Sequence, residues 1–145
     1  MILLLGCILC REEALEFMKI KSELSTLGVP IFGVVHEEKG VEEFTKDFFT
    51  NTDVYFDAEK KFFGPKERRI MLTGLLNFKF MMKVFGARQK GVEGNLEGDG
   101  SLLGGAFVIG PGEEGVLYEH RETYFGHHAN MDEVLTAAKS MKKSQ

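Results

Sequence analysis

A short aliphatic run followed by two cysteines constrains the fold of this chain more than any other feature. Met1 to Leu5 are all apolar and too few for a helix, which is typical of a strand buried on both faces of a sheet. From Arg11 to Leu27 apolar residues recur at helical spacing, and Gly28 then supplies a stop signal. Cys7 and Cys10 therefore lie where a predicted central strand meets a predicted amphipathic helix.

That junction favours redox chemistry, because the unpaired N–H groups and the positive partial charge of a helix N-terminus stabilise a thiolate. We expect Cys7 to be the more exposed and attacking thiol, and Cys10, one turn on, to close or open a disulfide with it. Arg11 could lend positive charge to a thiolate. Glu12 and Glu13 favour the helix dipole but oppose a second negative charge, so the net effect has no predicted sign.

Composition restricts the class of protein. A chain of 145 residues, 43% hydrophobic, suits one domain with a single core, and two cysteines cannot form a secreted disulfide framework. The net charge of -4 and the pI near 5.6 argue against nucleic-acid binding. Since the apolar start lacks the basic segment of a signal peptide and no stretch is long enough to span a bilayer, we expect a cytoplasmic protein without membrane contact.

The remaining pattern predicts alternating strands and helices in one domain, 1–145. In chain order, we predict a strand over Val29 to Val35, a helix over Val41 to Phe49, a strand over Val54 to Phe56, a polar connection over Asp57 to Pro65, an antiparallel hairpin of Gly105 to Gly110 with Gly115 to Glu119, and a helix capped by Asn130 with Glu133 completing a capping box. This order is that of the minimal thioredoxin fold, an α/β fold in which helices flank a central mixed sheet.

One segment does not fit that minimum. Apolar residues from Ile70 to Phe85 occupy nearly every side of a helix, so we predict a helical insertion over about 66–90, before the final hairpin. It either packs on the sheet, closes as a lid over an apolar substrate, or offers a surface to a membrane or partner.

Several stretches of the chain resemble the peroxiredoxin-like 2 family, particularly its A branch. They are Cys7 to Ala14, Lys61 to Pro65, Gly94 to Gly100, Leu103 to Val108 and Leu117 to Glu122. The resemblance implies a thioredoxin-like fold and a cytoplasmic redox-regulatory or antioxidant role, with Cys7 and Cys10 as the redox-active pair. A sister branch of the family reduces prostaglandin endoperoxides with thioredoxin as the electron donor. Compared with the family, the N-terminal strand region is expected to be shortened.

The chain departs from better-known relatives of this family at two places. A typical peroxiredoxin has Thr at the position of Cys7, its peroxidatic cysteine at that of Cys10, and an Arg where this chain reads Leu103-Gly104-Gly105, so efficient peroxide activation is not expected. Thioredoxins have a cis-proline at about the same place. Gly104 and Gly105 either let a substrate backbone approach the dithiol or form an ordinary turn before a strand.

A zinc site is the competing chemistry. Cys7, Cys10, His127 and His128 have the right ligand atoms, but adjacent histidines rarely reach one metal, so we expect neither a metal nor a bound cofactor.

Three functions remain open. The first is a thiol oxidoreductase that reduces peroxides or protein disulfides with electrons from thioredoxin or glutathione. The second is a reductase for a lipid endoperoxide of the prostaglandin type, in which Ile70 to Phe85 holds the acyl chain. The third is a redox-sensing regulator that acts by binding a partner.

Overall fold

The computed structural model describes residues 8–69, 82, 85, 86, 89, 101–124 and 126–142. The predicted strand over Met1 to Leu5, Cys7, the stretch from Gly94 to Gly100 and most of the predicted insertion lie outside these residues. The described elements are α1 (Ile8–Thr26), β1 (Phe32–Val35), α2 (Val41–Asp47), β2 (Asp53–Phe56), a 3-10 turn (Lys61–Phe63), β3 (Gly105–Ile109), β4 (Val116–Arg121) and α3 (Met131–Ser140).

Helix α1 already includes Ile8, one turn before the predicted start at Arg11, and its last residue, Thr26, is next to the predicted end at Leu27. Gly28 has a φ of 74°, its N–H donates to the Ser25 carbonyl at 2.9 Å, and the Val29 N–H donates to the Leu24 carbonyl at 2.9 Å. These two bonds form a Schellman motif, which satisfies carbonyls that the helix end leaves open. The partly buried Val29 packs against the cluster that contains Leu24, which directs the chain into β1.

Strands β1 and β2 pair in parallel, with Phe32 opposite Asp53 and Val35 opposite Phe56, and α2 connects them. Both predicted strands are present, although β1 is shorter than the predicted Val29 to Val35. Helix α2 stops before the predicted Phe49, whose side chain is nevertheless fully buried, because it packs in a cluster with Val35 of β1.

The predicted antiparallel hairpin is confirmed, with Gly105 of β3 opposite Arg121 of β4. The strands approach closely at its start. A Cβ atom on Gly105 would lie 2.5 Å from the His120 carbonyl oxygen, so only glycine fits there without a backbone shift.

Helix α3 begins at the predicted cap. The Asn130 side chain accepts hydrogen bonds from the N–H groups of Asp132 and Glu133 at 2.9 and 3.3 Å. The predicted capping box is wrong in one respect, since the N–H of Asn130 donates to the Tyr118 hydroxyl at 3.3 Å rather than to Glu133. The Tyr118 hydroxyl, on β4, therefore takes the place of the expected glutamate acceptor in the cap.

The connection between β2 and the insertion is more ordered than its polar composition suggests. The 3-10 turn within it places Phe63 at 0% exposure. Asp57 fixes this turn, because its Oδ2 accepts the Phe62 N–H at 2.9 Å. An apolar side chain is therefore brought from this loop into the core.

Helix α1 supplies buried side chains to all four apolar clusters of the described structure. These side chains are Leu9, Cys10, Ala14, Phe17 and Leu24. None of the helices in the described ranges is long and apolar enough to cross a membrane.

Candidate active site

Cys10 is the third residue of α1 and is 4% exposed. It belongs to a buried cluster, called here the Cys10 cluster, that consists of Leu9, Cys10, Val34, Phe63, Leu102 and Leu103. The cluster joins α1 to β1, to the 3-10 turn and to the chain just before β3. One sulfur of the predicted dithiol is therefore held among apolar side chains near the first described residues of α1.

Arg11 follows Cys10 and is itself buried, with 2% of its side chain exposed. Its Nη1 lies 2.9 Å from Oε1 of Glu43 in α2, and its guanidinium carbon lies 4.8 Å from the ring centroid of Phe48. Phe48 in turn packs against the Cys10 cluster. These contacts connect the Arg11 guanidinium to α2 and to Phe48, the residue that follows it. Stabilisation of a Cys7 thiolate by Arg11 stays a prediction.

The two glutamates after Arg11 do not occupy the first turn of the helix, because α1 begins earlier than predicted. Glu13 is 3% exposed, and its Oε1 accepts a hydrogen bond from the Ala129 N–H at 2.9 Å. This carboxylate therefore connects α1 to the chain entering α3, which the sequence did not predict.

Gly104 and Gly105 lie at the other side of the cluster, directly after Leu103. The Gly104 N–H donates to Glu122 Oε2 at 2.9 Å, and the Gly104 carbonyl accepts from the Glu122 N–H at 3.1 Å. Both backbone groups of Gly104 are thus used within the chain, and the close approach of His120 accounts for glycine at position 105. The hypothesis that a substrate backbone pairs here stays a prediction.

Two charged residues that sequence reasoning did not single out lie beside Gly104. Arg68 donates through Nη1 to the Glu122 carbonyl at 2.7 Å and through Nη2 to the Gly104 carbonyl at 3.1 Å. Burial lowers the pKa of Arg68, the charge of Arg121 lowers it further, and the Glu122 carboxylate opposes this. Arg68 lies in a run of four charged residues, 66–69, which is typical of a solvent-exposed surface. The sequence therefore gives no sign that Arg68 binds these two carbonyls.

His127, one of the two histidines of the zinc hypothesis, packs with aromatic neighbours. The ring of His127 stacks on Tyr124 with centroids 4.8 Å apart and meets the His120 ring at 4.6 Å. Across the part of the chain that the structure describes, no three His, Cys, Asp or Glu side chains are grouped as a metal site.

Comparison with known proteins identifies the family. Residues 16–124 match the family model of the AhpC/TSA antioxidant enzymes, a match that begins after both cysteines. The chain is 46% identical over 142 residues to Peroxiredoxin-like 2A of Xenopus tropicalis, which covers 97% of this chain and 62% of that protein. It is 45% identical over 139 residues to Peroxiredoxin-like 2A of Homo sapiens, covering 94% and 60%.

These relatives confirm the resemblance to the peroxiredoxin-like 2 family, and the chain spans about three-fifths of their length. No solved structure matches the chain. Three-quarters of the sequence nevertheless lies within the family match. The chain therefore belongs to the AhpC/TSA antioxidant enzyme family and has the thioredoxin-like α/β fold of that family.

Proposed function

We propose that this protein is a thiol oxidoreductase in which Cys7 and Cys10 cycle between dithiol and disulfide. The observation that carries the proposal is the position of Cys10 near the first described residues of α1, inside an apolar wall, with Cys7 three residues earlier in the sequence. A thiolate at a helix start is stabilised by the helix dipole, whereas a buried thiol is protected from bulk oxidants. Cys7 is accordingly the attacking thiol and Cys10 the resolving thiol.

With a peroxide as the acceptor, the cycle balances in three steps. The Cys7 thiolate attacks one peroxide oxygen, the O–O bond breaks, and the other oxygen leaves as water or an alcohol after taking a proton. Cys10 then attacks the sulfenic sulfur of Cys7, which releases water and forms the disulfide. Two thiols of thioredoxin or glutathione reduce this disulfide and become a disulfide themselves, so two electrons pass from reductant to peroxide.

With a protein disulfide as the acceptor, the same pair works by thiol exchange. The Cys7 thiolate attacks one substrate sulfur and forms a mixed disulfide, while the other substrate sulfur leaves as a thiolate. Cys10 attacks Cys7, which releases the second substrate thiol and leaves the Cys7–Cys10 disulfide for the reductant. Neither acceptor requires a bound cofactor or a metal.

The family supports redox chemistry in general, and the acceptor and reductant are part of the proposal. We propose peroxides or protein disulfides as acceptors, thioredoxin or glutathione as reductant, and the cytoplasm as the compartment. The two cysteines are the proposed catalytic residues, and Arg11, Gly104 and Gly105 are proposed to support them through the contacts described above.

Steady-state turnover tests the proposal. NADPH consumption is measured with thioredoxin and its reductase, and in parallel with glutathione and glutathione reductase, using hydrogen peroxide, a lipid hydroperoxide, a prostaglandin endoperoxide and a disulfide-bonded protein as acceptors. Cys7→Ser and Cys10→Ser should abolish turnover. Ala14→Ser is the matched control, because it adds a hydroxyl to the same buried helix face and retains both thiols.

The acceptor profile separates the remaining functions. Turnover that depends on both cysteines supports the proposal, and a strong preference for the endoperoxide would favour the lipid reductase instead. Absence of turnover with every acceptor, in folded protein that still forms the disulfide, would overturn the proposal in favour of a redox-sensing regulator.

A further inference from the structure

The segment Leu102 to Gly104, called here the 102–104 segment, is fixed at every backbone position. Leu102 pairs with Arg69 in an antiparallel bridge, and the Leu103 N–H donates to the Arg68 carbonyl at 2.8 Å. Gly104 exchanges hydrogen bonds with Glu122, as described above. The segment is thus held between Arg68 and Arg69 on one side and the residue after β4 on the other.

The side chains of Glu122 and Arg68 also hold the 102–104 segment in place. The Glu122 carboxylate, 3% exposed, accepts the Gly104 N–H at 2.9 Å. The Arg68 guanidinium spans the carbonyls of Gly104 and Glu122 at 3.1 and 2.7 Å. Hydrogen bonds to charged groups are stronger than those between neutral groups, and the planar guanidinium fixes both carbonyls in one geometry.

The same segment forms one side of the Cys10 cluster. Leu102 and Leu103 are 0% and 3% exposed and belong to the cluster with Cys10 and Phe63. Glu122 and Arg68 contact the backbone immediately beside these leucines. Any displacement of the 102–104 segment therefore removes apolar cover from the buried thiol.

We infer that Glu122 and Arg68 are positioning residues that hold the 102–104 segment against Cys10 and thereby set how readily its thiol is reached. The inference rests on the proposed function for its catalytic meaning, since a resolving thiol must be shielded from bulk oxidants yet able to reach Cys7. Opening of the segment exposes the thiol to solvent. Closure restricts it to reaction within the chain.

The experiment uses alkylation of Cys10 by iodoacetamide in the native protein. Because the chain has two cysteines, Cys7→Ser leaves Cys10 as the single thiol, and every variant is made in that background. Glu122→Ala removes the acceptor of the Gly104 N–H, and Glu122→Gln retains an acceptor oxygen without the charge. Val134→Ala is the matched control, since it weakens a different buried cluster.

We expect Glu122→Ala to accelerate alkylation by about tenfold or more, the change in open population that loss of one hydrogen bond at a buried site produces. Glu122→Gln should lie between Glu122→Ala and the parent. The alkylation rates of Glu122→Ala and Val134→Ala are compared at urea concentrations at which the two variants have equal free energies of unfolding. Equal rates for Glu122→Ala and Val134→Ala under those conditions would overturn the inference.

A second variant keeps the test decisive if Glu122→Ala does not fold. Arg68→Lys retains a positive charge but cannot span two carbonyls, so alkylation should again be faster than in the parent. A rate equal to that of the parent would contradict the inference. The alkylation rate does not require turnover, so an inactive protein would refute the proposed function and leave the positioning role measurable by itself.

Discussion

The carboxylate of Glu13 in α1 accepts a hydrogen bond from the backbone N–H of Ala129 at 2.9 Å, and both residues are buried. The two are 116 residues apart in the chain. This contact connects α1 and α3 near their N-terminal ends. Near their C-terminal ends, Lys139 of α3 forms an ion pair of 2.7 Å with Glu23 of α1. The helix that carries Cys10 is therefore anchored to the last helix of the described chain.

Glu13→Ala should lower the free energy of unfolding by about 1 to 3 kcal/mol, because it leaves the buried Ala129 N–H without this acceptor. Urea denaturation followed by circular dichroism measures the loss. Glu16→Ala is the control, since Glu16 pairs with an exposed Lys19 and should cost at most about 0.5 kcal/mol. Equal losses for the two variants would contradict the assigned role of Glu13.

Gly105→Ala should lower the melting temperature, because its Cβ would meet the His120 carbonyl oxygen at 2.5 Å and the hairpin would have to shift. Overpacking of this kind costs about 1 to 3 kcal/mol. Gly86→Ala provides a contrast of opposite sign. Gly86 is helical with open space around it, so alanine there should be neutral or stabilising by up to about 1 kcal/mol. An unchanged melting temperature for Gly105→Ala would refute the close approach of β4.

Arg11→Lys should destabilise the fold by about 1 to 2 kcal/mol, because an ammonium group loses the planar contact over Phe48 while keeping the charge near Glu43. Chemical denaturation of both proteins measures the difference. Arg69→Lys is the control, since the Arg69 side chain is 43% exposed and paired with Glu67 at the surface. A loss no larger at Arg11 than at Arg69 would show that burial of the guanidinium contributes nothing.

Tyr118→Phe should change how stability depends on pH. Burial raises the pKa of the Tyr118 hydroxyl, an effect that the Asn130 N–H opposes and the charge of Glu133 increases. An unfolded tyrosine ionises near pH ~10. The contribution of Tyr118 to stability is therefore complete below that pH and is lost as the pH rises through the raised pKa of the folded state.

The free energy of unfolding of the parent should consequently fall more steeply above pH ~10 than that of Tyr118→Phe. Urea titrations at a series of alkaline pH values measure both slopes. Tyr55→Phe serves as the control because it removes the same hydroxyl from a tyrosine that is 55% exposed and lies outside the cap of α3. Identical slopes for the parent and Tyr118→Phe would contradict the raised pKa of the Tyr118 hydroxyl in the folded protein.

Local signals in the sequence predict much of this fold. The stop of α1 at Gly28, the hairpin and the Asn130 cap depend on residues within a few positions of one another, and the structure confirms all three. The sequence predicts a start of α1 at Arg11, one turn after Ile8, because the apolar Ile8 and Leu9 do not by themselves indicate a helix. A buried apolar residue such as Leu9 fits a strand and a helix equally well, so its sequence alone does not mark a helix start.

The charged contacts around Cys10 could not be predicted in the same way. Arg11, Glu13 and Glu122 each read as ordinary solvated charges, and their partners lie 32, 116 and 18 residues away. A buried charge is recognised only when tertiary structure brings its partner close, because burial without a partner is strongly unfavourable. The sequence singles out Gly104 as a possible site of substrate approach or an ordinary turn, but its contacts with Glu122 and Arg68 depend on that tertiary arrangement.

The most direct test of the central claim is to measure the mass of the intact protein and of its Cys7–Cys10 peptide after one equivalent of hydrogen peroxide, and again after reduced thioredoxin is added. If Cys7 and Cys10 are the redox-active pair, peroxide should remove two hydrogens from a monomer and form an internal disulfide between Cys7 and Cys10, and thioredoxin should restore the dithiol fully. Oxidation that stops at a sulfinic acid, or a disulfide that forms only between chains, would contradict this assignment.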